Sequence, residues 1–428
     1  MAPRVVTTSM RILVSAFACS PAIGSEPAVG WEWASRLSAR HEVTVVTHAY
    51  FRSAIEQALA ARPRPGLRFD YHEVPWLRIH PHRALNSRLY YLLWQVSVVR
   101  RIAALARERE FDLFHHLTWG SFRLPSFVGL VGRPFVIGPV GGGERSPTRL
   151  RRSMPLGARA FELARDLLIA SGRLDPVLRL ALSRTDLILA KTHETLAALP
   201  ASARQRALVA HEIGAAAGPA GDVARTADAD GFRILFAGRL VPAKGVHLAL
   251  YAVARLAGTR ERVSFHVAGD GPLRRSLERQ VAALGIEQRV TFLGMLTRER
   301  LMAAYREMDC FLFPTLHDSS GNVVLEALAA GLPVVCLDLG GPKYFVDESC
   351  GAVVATLGRS EAAVAEALAE VLTRLAREPD ERARLSAGAL ARAQALGWDN
   401  QISRAYALIE QALAGAGDRR GCAPGRQA

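Results

Sequence analysis

The sequence predicts an α/β protein made of two doubly wound parallel sheets, and three observations predict it. Short apolar runs alternate with helical patterns, which is the signature of strand–helix–strand units whose successive strands run parallel. The alternation stops around residues 214–231, where Ala, Gly, Pro and Asp follow one another without periodicity, and then begins again. The chain also has 428 residues, of which 50% are hydrophobic, enough for two buried cores.

In the first half, strands are expected at Arg11–Ala16, Glu42–Thr47, Leu67–His72, Phe111–His115 and Pro134–Gly138, with a helical pattern over Val29–Leu37. In the second half they are expected at Arg233–Ala237, Ser264–Ala268, Val290–Leu293, Cys310–Pro314 and Pro333–Leu337. A final helical stretch covers Ser386–Ala414, and periodicity leaves open whether it returns to the first domain. The expected organisation is a first domain over 1–215, a linker over 216–230, a second domain over 231–414 and a disordered tail over 415–428. Ligands of open parallel sheets sit beyond the carboxyl ends of the strands. Two such domains facing one another would enclose a cleft.

Charge divides the halves. Residues 1–215 carry 29 Lys/Arg against 16 Asp/Glu, a net +13, while the remainder carries 25 against 24, a net +1. The first half therefore suits an anionic partner: a membrane surface, a phosphorylated acceptor or nucleic acid. The stretch from Trp76 to Arg109 mixes aromatics and leucines with arginines, as an interfacial helix does, and equally as an ordinary helix with one buried face. No run is long and apolar enough to span a bilayer, and residues 1–10 lack the apolar core of a secretory signal, so the expected compartment is the cytoplasm. The five cysteines are widely spaced and imply neither disulfides nor a zinc site. Only three of the 54 basic residues are lysines, Lys191, Lys244 and Lys343.

The sharpest local pattern is His317-Asp318-Ser319-Ser320-Gly321-Asn322-Val323-Val324-Leu325-Glu326, between an apolar strand and an apolar helix. A glycine turn entering a helix presents unpaired N–H groups and the positive end of the helix dipole, a natural anion seat. Asp318 at the loop mouth is suited to sugar hydroxyls and Glu326 to a ribose diol. The second pattern is Gly238-Arg239-Leu240-Val241-Pro242-Ala243-Lys244-Gly245, where Arg239 and Lys244 bracket a turn and can neutralise a diphosphate. Two imitations are rejected. Asp228-Ala229-Asp230 resembles a metal-binding pair but precedes a strand, and Gly269-Asp270-Gly271 lacks the third glycine of a dinucleotide fingerprint, Arg274 standing there. No metal or cofactor is expected.

In this order and separation the two patterns resemble family 4 of the retaining glycosyltransferases. That resemblance implies the GT-B fold: two facing Rossmann-like doubly wound domains with a nucleotide-sugar cleft between them. It also implies that Arg239 and Lys244 hold the donor diphosphate, that the amides of Gly321, Asn322 and Val323 contact phosphate or sugar, and that Glu326 holds the ribose. The family's carboxylate pair is usually Glu-x7-Glu, so Asp318 departs from it by one methylene. Gly24, in Ser20–Trp31, resembles the family's N-terminal glycine loop and would approach the donor phosphate. The family's strand-end histidine points to His116, with His115 as the alternative, near the transferred sugar. Glu144, after Gly141-Gly142-Gly143, is expected at the acceptor. The implied reaction is metal-independent transfer with retention from a UDP- or GDP-linked sugar. The expected acceptor is a saccharide on a lipid diphosphate at the inner face of the cell membrane, in exopolysaccharide or cell-envelope synthesis. An epimerase or hydrolase on the same fold is the enzymatic rival, and a basic nucleic-acid-binding protein the non-enzymatic one, for which no recognition motif is present.

Overall fold

The computed structural model describes residues 9–77, 87–216, 231–257 and 262–421, with side chains as far as residue 414. Nearly all of the expected linker, with Asp228 and Asp230, lies outside the described residues. The chain forms two compact units that do not follow the sequence halves. One contains the chain up to Gly143, Leu168–Glu212 and residues from Gln401 onward; the other contains Glu144–Leu167 and Ile213–Asn400. The expected limits at 215 and 231 thus give way to a chain that passes between the units several times.

The first unit holds strands β1 (Arg11–Ser15), β2 (Glu42–His48), β3 (Leu67–His72), β4 (Leu113–His116), β5 (Phe135–Val140), β6 (Leu187–Ala190) and β7 (Ala207–Val209). They form a parallel sheet in the order β3-β2-β1-β4-β5-β6-β7. Its helices are α1 (Glu26–Leu37), α2 (Arg52–Ala61), α3 (Arg88–Glu108), α5 (Pro176–Ser183), α6 (His193–Ala198) and α7 (Ala201–Arg204), while α4 (Leu156–Ser171) has residues in both units. β1 and β4 are buried on both faces, as strands covered by helices on each side must be. Local signals start the helices where the sequence places them. Ser87 accepts from Tyr90 N at 3.2 Å to cap α3, and Asp175 accepts from Val177 N and Leu178 N at 3.0 and 3.1 Å to cap α5.

Of the two readings open for the stretch from Trp76 to Arg109, the helix takes that of an ordinary helix with one buried face. α3 buries Tyr90, Tyr91 and Trp94, and Arg101 pairs with Asp70 on β3. Arg83 and Leu85 of the same stretch lie outside the described residues.

The second unit holds β8 (Phe232–Ala237), β9 (Val263–Ala268), β10 (Val290–Gly294), β11 (Cys310–Phe313), β12 (Val334–Leu337) and β13 (Gly351–Val354), parallel in the order β10-β9-β8-β11-β12-β13. Its helices are α8 (Val246–Ala257), α9 (Arg274–Ala283), α10 (Arg298–Glu307), α11 (Asn322–Ala329), α12 (Glu361–Arg377) and α13 (Pro379–Ala395). α14 (Trp398–Gly421) returns to the first unit from Gln401. The single helical stretch expected over Ser386–Ala414 is therefore two helices, broken at Leu396-Gly397. The tail expected to be disordered is helical to Gly421. No helix among the described residues is long and apolar enough to cross a membrane.

Candidate functional site

Strand order reverses between β8 and β11 in the second sheet, the place where an open parallel sheet leaves a crevice at its carboxyl edge. The chain leaving those two strands is the pair of segments singled out by sequence. After β8 comes exposed Arg239, then a 3-10 turn over Pro242–Lys244, then Gly245 at φ 65°. A Cβ at Gly245 would stand 1.9 Å from the Pro314 carbonyl oxygen, so only glycine lets this turn lie against the end of β11. Leu316 N and Thr315 Oγ1 both donate to the Ala243 carbonyl, at 2.8 and 3.1 Å, and tie the two loops together.

The Lys244 ammonium is ion-paired with the Asp318 carboxylate and lies 5.2 Å from the centre of the Phe313 ring. Both side chains remain about a fifth exposed, at 21% and 19%. The other Asp318 oxygen accepts from Ser320 N at 3.2 Å, and Gly341 N donates to the Asp318 carbonyl at 2.7 Å. Gly321, at φ 85°, caps α11, whose first amides, on Asn322 and Val323, have no carbonyl one turn earlier to bond. One turn on, Glu326 is half-buried. Burial pushes its carboxyl above the usual range, against the opposing pull of Arg298 and a 3.4 Å hydrogen bond from the Tyr305 hydroxyl. Glu326 thus does not sit on the solvent face of its helix. Arg239, Lys244, Asp318, Gly321, Asn322, Val323 and Glu326 all belong to the loops and helix at this one reversal. Among the described residues, no group of three His, Cys, Asp or Glu side chains is placed to hold a metal ion.

His317 Nε2 lies 3.0 Å from Glu162 Oε1, and Ser146 Oγ donates to the other Glu162 oxygen at 3.1 Å. Burial pushes the Glu162 carboxyl up, but the bonds from His317 and Ser146 outweigh it and hold the carboxyl below its usual value. Sequence reasoning missed Glu162 because the two residues are 155 positions apart. Glu144, expected at the acceptor, is only 2% exposed. Its buried side chain does not fit an open acceptor surface.

In the first unit the reversal falls between β1 and β4. Gly24 lies exposed on the loop after β1. The two non-glycine residues with positive φ among those described are Ser25 at 61° and Trp119 at 58°, one on each loop of this reversal. Glu26 Oε1 accepts from Gly120 N at 3.1 Å and joins the loops, and the Trp119 ring stacks on Tyr91 at 4.7 Å. Each such residue stores about 1–3 kcal/mol of strain, which persists where the surroundings over-determine it and which clusters at binding loops. Nothing in residue type announces this strain.

The histidines behave otherwise than expected. His116 is 2% exposed, with Nε2 at 3.0 Å from the Tyr91 hydroxyl and Nδ1 at 3.2 Å from Ser15 Oγ. His115 is fully buried, with Nδ1 at 3.0 Å from the Tyr406 hydroxyl and Nε2 at 2.7 Å from the Gly138 carbonyl. Burial pushes the rings down to about 3 and about 4. With all four ring nitrogens engaged inside the unit, both residues are core histidines here, and the sugar contact expected of His116 is not supported.

Residues 231–374 match the family model described as Glycosyl transferases group 1. A 2-deoxystreptamine glucosyltransferase of Streptomyces kanamyceticus is 35% identical over 144 residues, 34% of this chain and 36% of the relative. A D-inositol 3-phosphate glycosyltransferase of Frankia alni is 38% identical over 182 residues, 40% of this chain and 43% of the relative. The chain thus spans less than half the length of these curated relatives. Among solved structures, Anabaena Alr3699/HepE, determined in complex with UDP, superimposes with a TM-score of 0.58 at 18% identity, covering 94% of this chain and 100% of that one. At that identity the likeness concerns the fold alone, and the fold is that of the GT-B glycosyltransferases.

Proposed function

We propose that the chain transfers a sugar, with retention, from a UDP- or GDP-linked donor to a saccharide acceptor, a reading supported by the match of residues 231–374 to the group 1 glycosyltransferase model. The observation that carries this reading is the Lys244–Asp318 ion pair at the β8–β11 reversal, beside the open N-terminus of α11 and half-buried Glu326.

Arg239 and Lys244 meet the donor diphosphate, one as a planar fork and the other as a point charge, together with the amides of Gly321, Asn322 and Val323. As the diphosphate takes over Lys244, Asp318 is released toward the hydroxyls of the sugar. Glu326 accepts from the ribose diol. The bond from the anomeric carbon to the diphosphate breaks, and the acceptor oxygen bonds to the same face. The departing phosphate oxygen takes the acceptor's proton. Preorganised cations and amides stabilise the charge that develops on the leaving group, so the reading calls for no metal. Retaining hydrolases use a carboxylate nucleophile about 5–5.5 Å from its partner acid; here both carboxylates are occupied in donor binding. Gly24, on the loop after β1, remains a candidate phosphate contact. The +13 charge of residues 1–215 favours an acceptor carried on a lipid diphosphate at the inner face of the cell membrane, in envelope or exopolysaccharide synthesis.

Titration calorimetry with UDP, GDP and their common sugars tests the donor. Lys244→Ala and Glu326→Ala should each weaken binding by about 10- to 100-fold, the range for losing a hydrogen bond to a charged group. Normal donor turnover in both variants would sink the proposal.

A further inference from the structure

Helix α4 is turned inside out. Residues three and four apart share a helix face, and a surface helix ordinarily points its apolar stripe inward. The inward face of α4 instead carries Glu162, Arg165 and Asp166 beside Ile169, all buried or half-buried. Glu162 is held by His317 and Ser146, Arg165 Nη1 donates to the Glu144 carbonyl at 2.5 Å, and Asp166 pairs with Arg151 at 2.7 Å. The outward face carries Leu156, Phe161, Leu163, Leu167 and Leu168, which are 79, 67, 59, 63 and 50% exposed. Single exposed leucines are ordinary, but a stripe of large apolar side chains rimmed by charge marks a docking surface.

The rim identifies the occupant. Residues 145–167, the part of this segment within the second unit, contain six arginines and two acids. Both acids, Glu162 and Asp166, are engaged within the protein as above. Arg145, Arg149, Arg152 and Arg159 are exposed. The segment therefore offers solvent apolar groups and positive charge, with its negative charge turned inward. A second copy of the chain is the poorer occupant, since a two-fold contact would set the same arginines against each other. A leaflet of anionic lipid takes both features, the apolar stripe entering the acyl boundary and the arginines meeting phosphates.

We propose that α4 docks the protein on an anionic membrane surface, lying along it rather than crossing it. The surface deepens the reading of a lipid-borne acceptor, and its test needs neither donor nor transfer, so the two can fail separately. Flotation with phosphatidylcholine vesicles, with and without phosphatidylglycerol, should give binding only to the anionic set, weakened by added salt. The variant Phe161→Ser/Leu163→Ser/Leu167→Ser should lose that binding by at least about tenfold. Its thermal melt and its affinity for UDP should stay unchanged, because the altered side chains are exposed. Arg152→Glu/Arg159→Glu should weaken binding to anionic vesicles as well. Absence of binding by the unaltered chain would overturn the proposal, as would undiminished binding by the serine variant. So would sedimentation showing a dimer that the serine variant dissociates, since the stripe would then belong to a second copy.

Discussion

At the scale of single residues, the lysines were the most legible signal. In a chain that uses arginine almost everywhere, two of three lysines are held by carboxylates, Lys244 by Asp318 and Lys191 by Glu212, the latter pair only 7% and 5% exposed. The histidines were legible as a pair at a strand end but not in role, because sequence cannot say which side of β4 is filled by Tyr91 and which by Tyr406. Their burial has a measurable consequence. An unfolded imidazole titrates near 6.5, whereas His115 and His116 are pushed down to about 4 and about 3. Between pH 6.5 and about 4 the unfolded chain binds protons that the folded chain refuses, so stability falls as pH falls through that window. Each histidine should account for about 2 kcal/mol lost by pH 5. Urea denaturation at pH 7.5 and pH 5 checks this. His115→Asn should start less stable but lose less on acidification, and an identical acid loss in the variant would remove His115 from the account.

At the scale of elements, the sequence pattern carried ten strands to their places, and three escaped. β7 and β13 are only three and four residues long, and β6 is a four-residue apolar run that periodicity does not distinguish from a turn of buried helix. The second-unit site was legible because its chemistry is local: a turn after β8, a glycine-capped helix after β11. What joins those pieces was not legible, since it depends on backbone approach across more than 70 positions, as in the bond from Thr315 to Ala243. Gly245 is the hinge of that approach. Gly245→Ala would require a left-handed alanine, a cost of about 1–2 kcal/mol before any clash, and would press Cβ on the Pro314 carbonyl. The expected outcome is a melting temperature lower by several degrees, roughly 2–4 °C per kcal/mol for a unit of this size, together with weaker UDP binding. A melt and an affinity both equal to those of the unaltered chain would show that the turn does not set the site.

At the scale of the whole molecule, the two units were legible but their composition was not. Periodicity reports that a segment is helical and cannot report which sheet it covers: the sequence places Glu144–Leu167 with the first half, whereas it groups with the second unit, and leaves open the return of the final helix, which joins the first unit from Gln401. The consequence for the first unit is large. α14 contributes Ile402, Tyr406 and Ile409, each no more than 4% exposed, and the Tyr406 hydroxyl is a partner of His115. Burying such side chains is worth about 1.5–3 kcal/mol each, which together rivals the ~5–15 kcal/mol that holds a typical domain folded. A chain ending at Asn400 should therefore lose the first unit while keeping the second, whereas one ending at Gly421 should behave like the full chain. Tryptophan separates the two cases: Trp31, Trp33, Trp76, Trp94 and Trp119 lie in the first unit and Trp398 alone in the second. In the shorter chain, fluorescence should report an unfolded environment at 25 °C, while calorimetry still records a transition from the second unit. If the fluorescence melt survived truncation unchanged, α14 would be an appendage rather than part of the core, and His115 would have to find its structural support elsewhere.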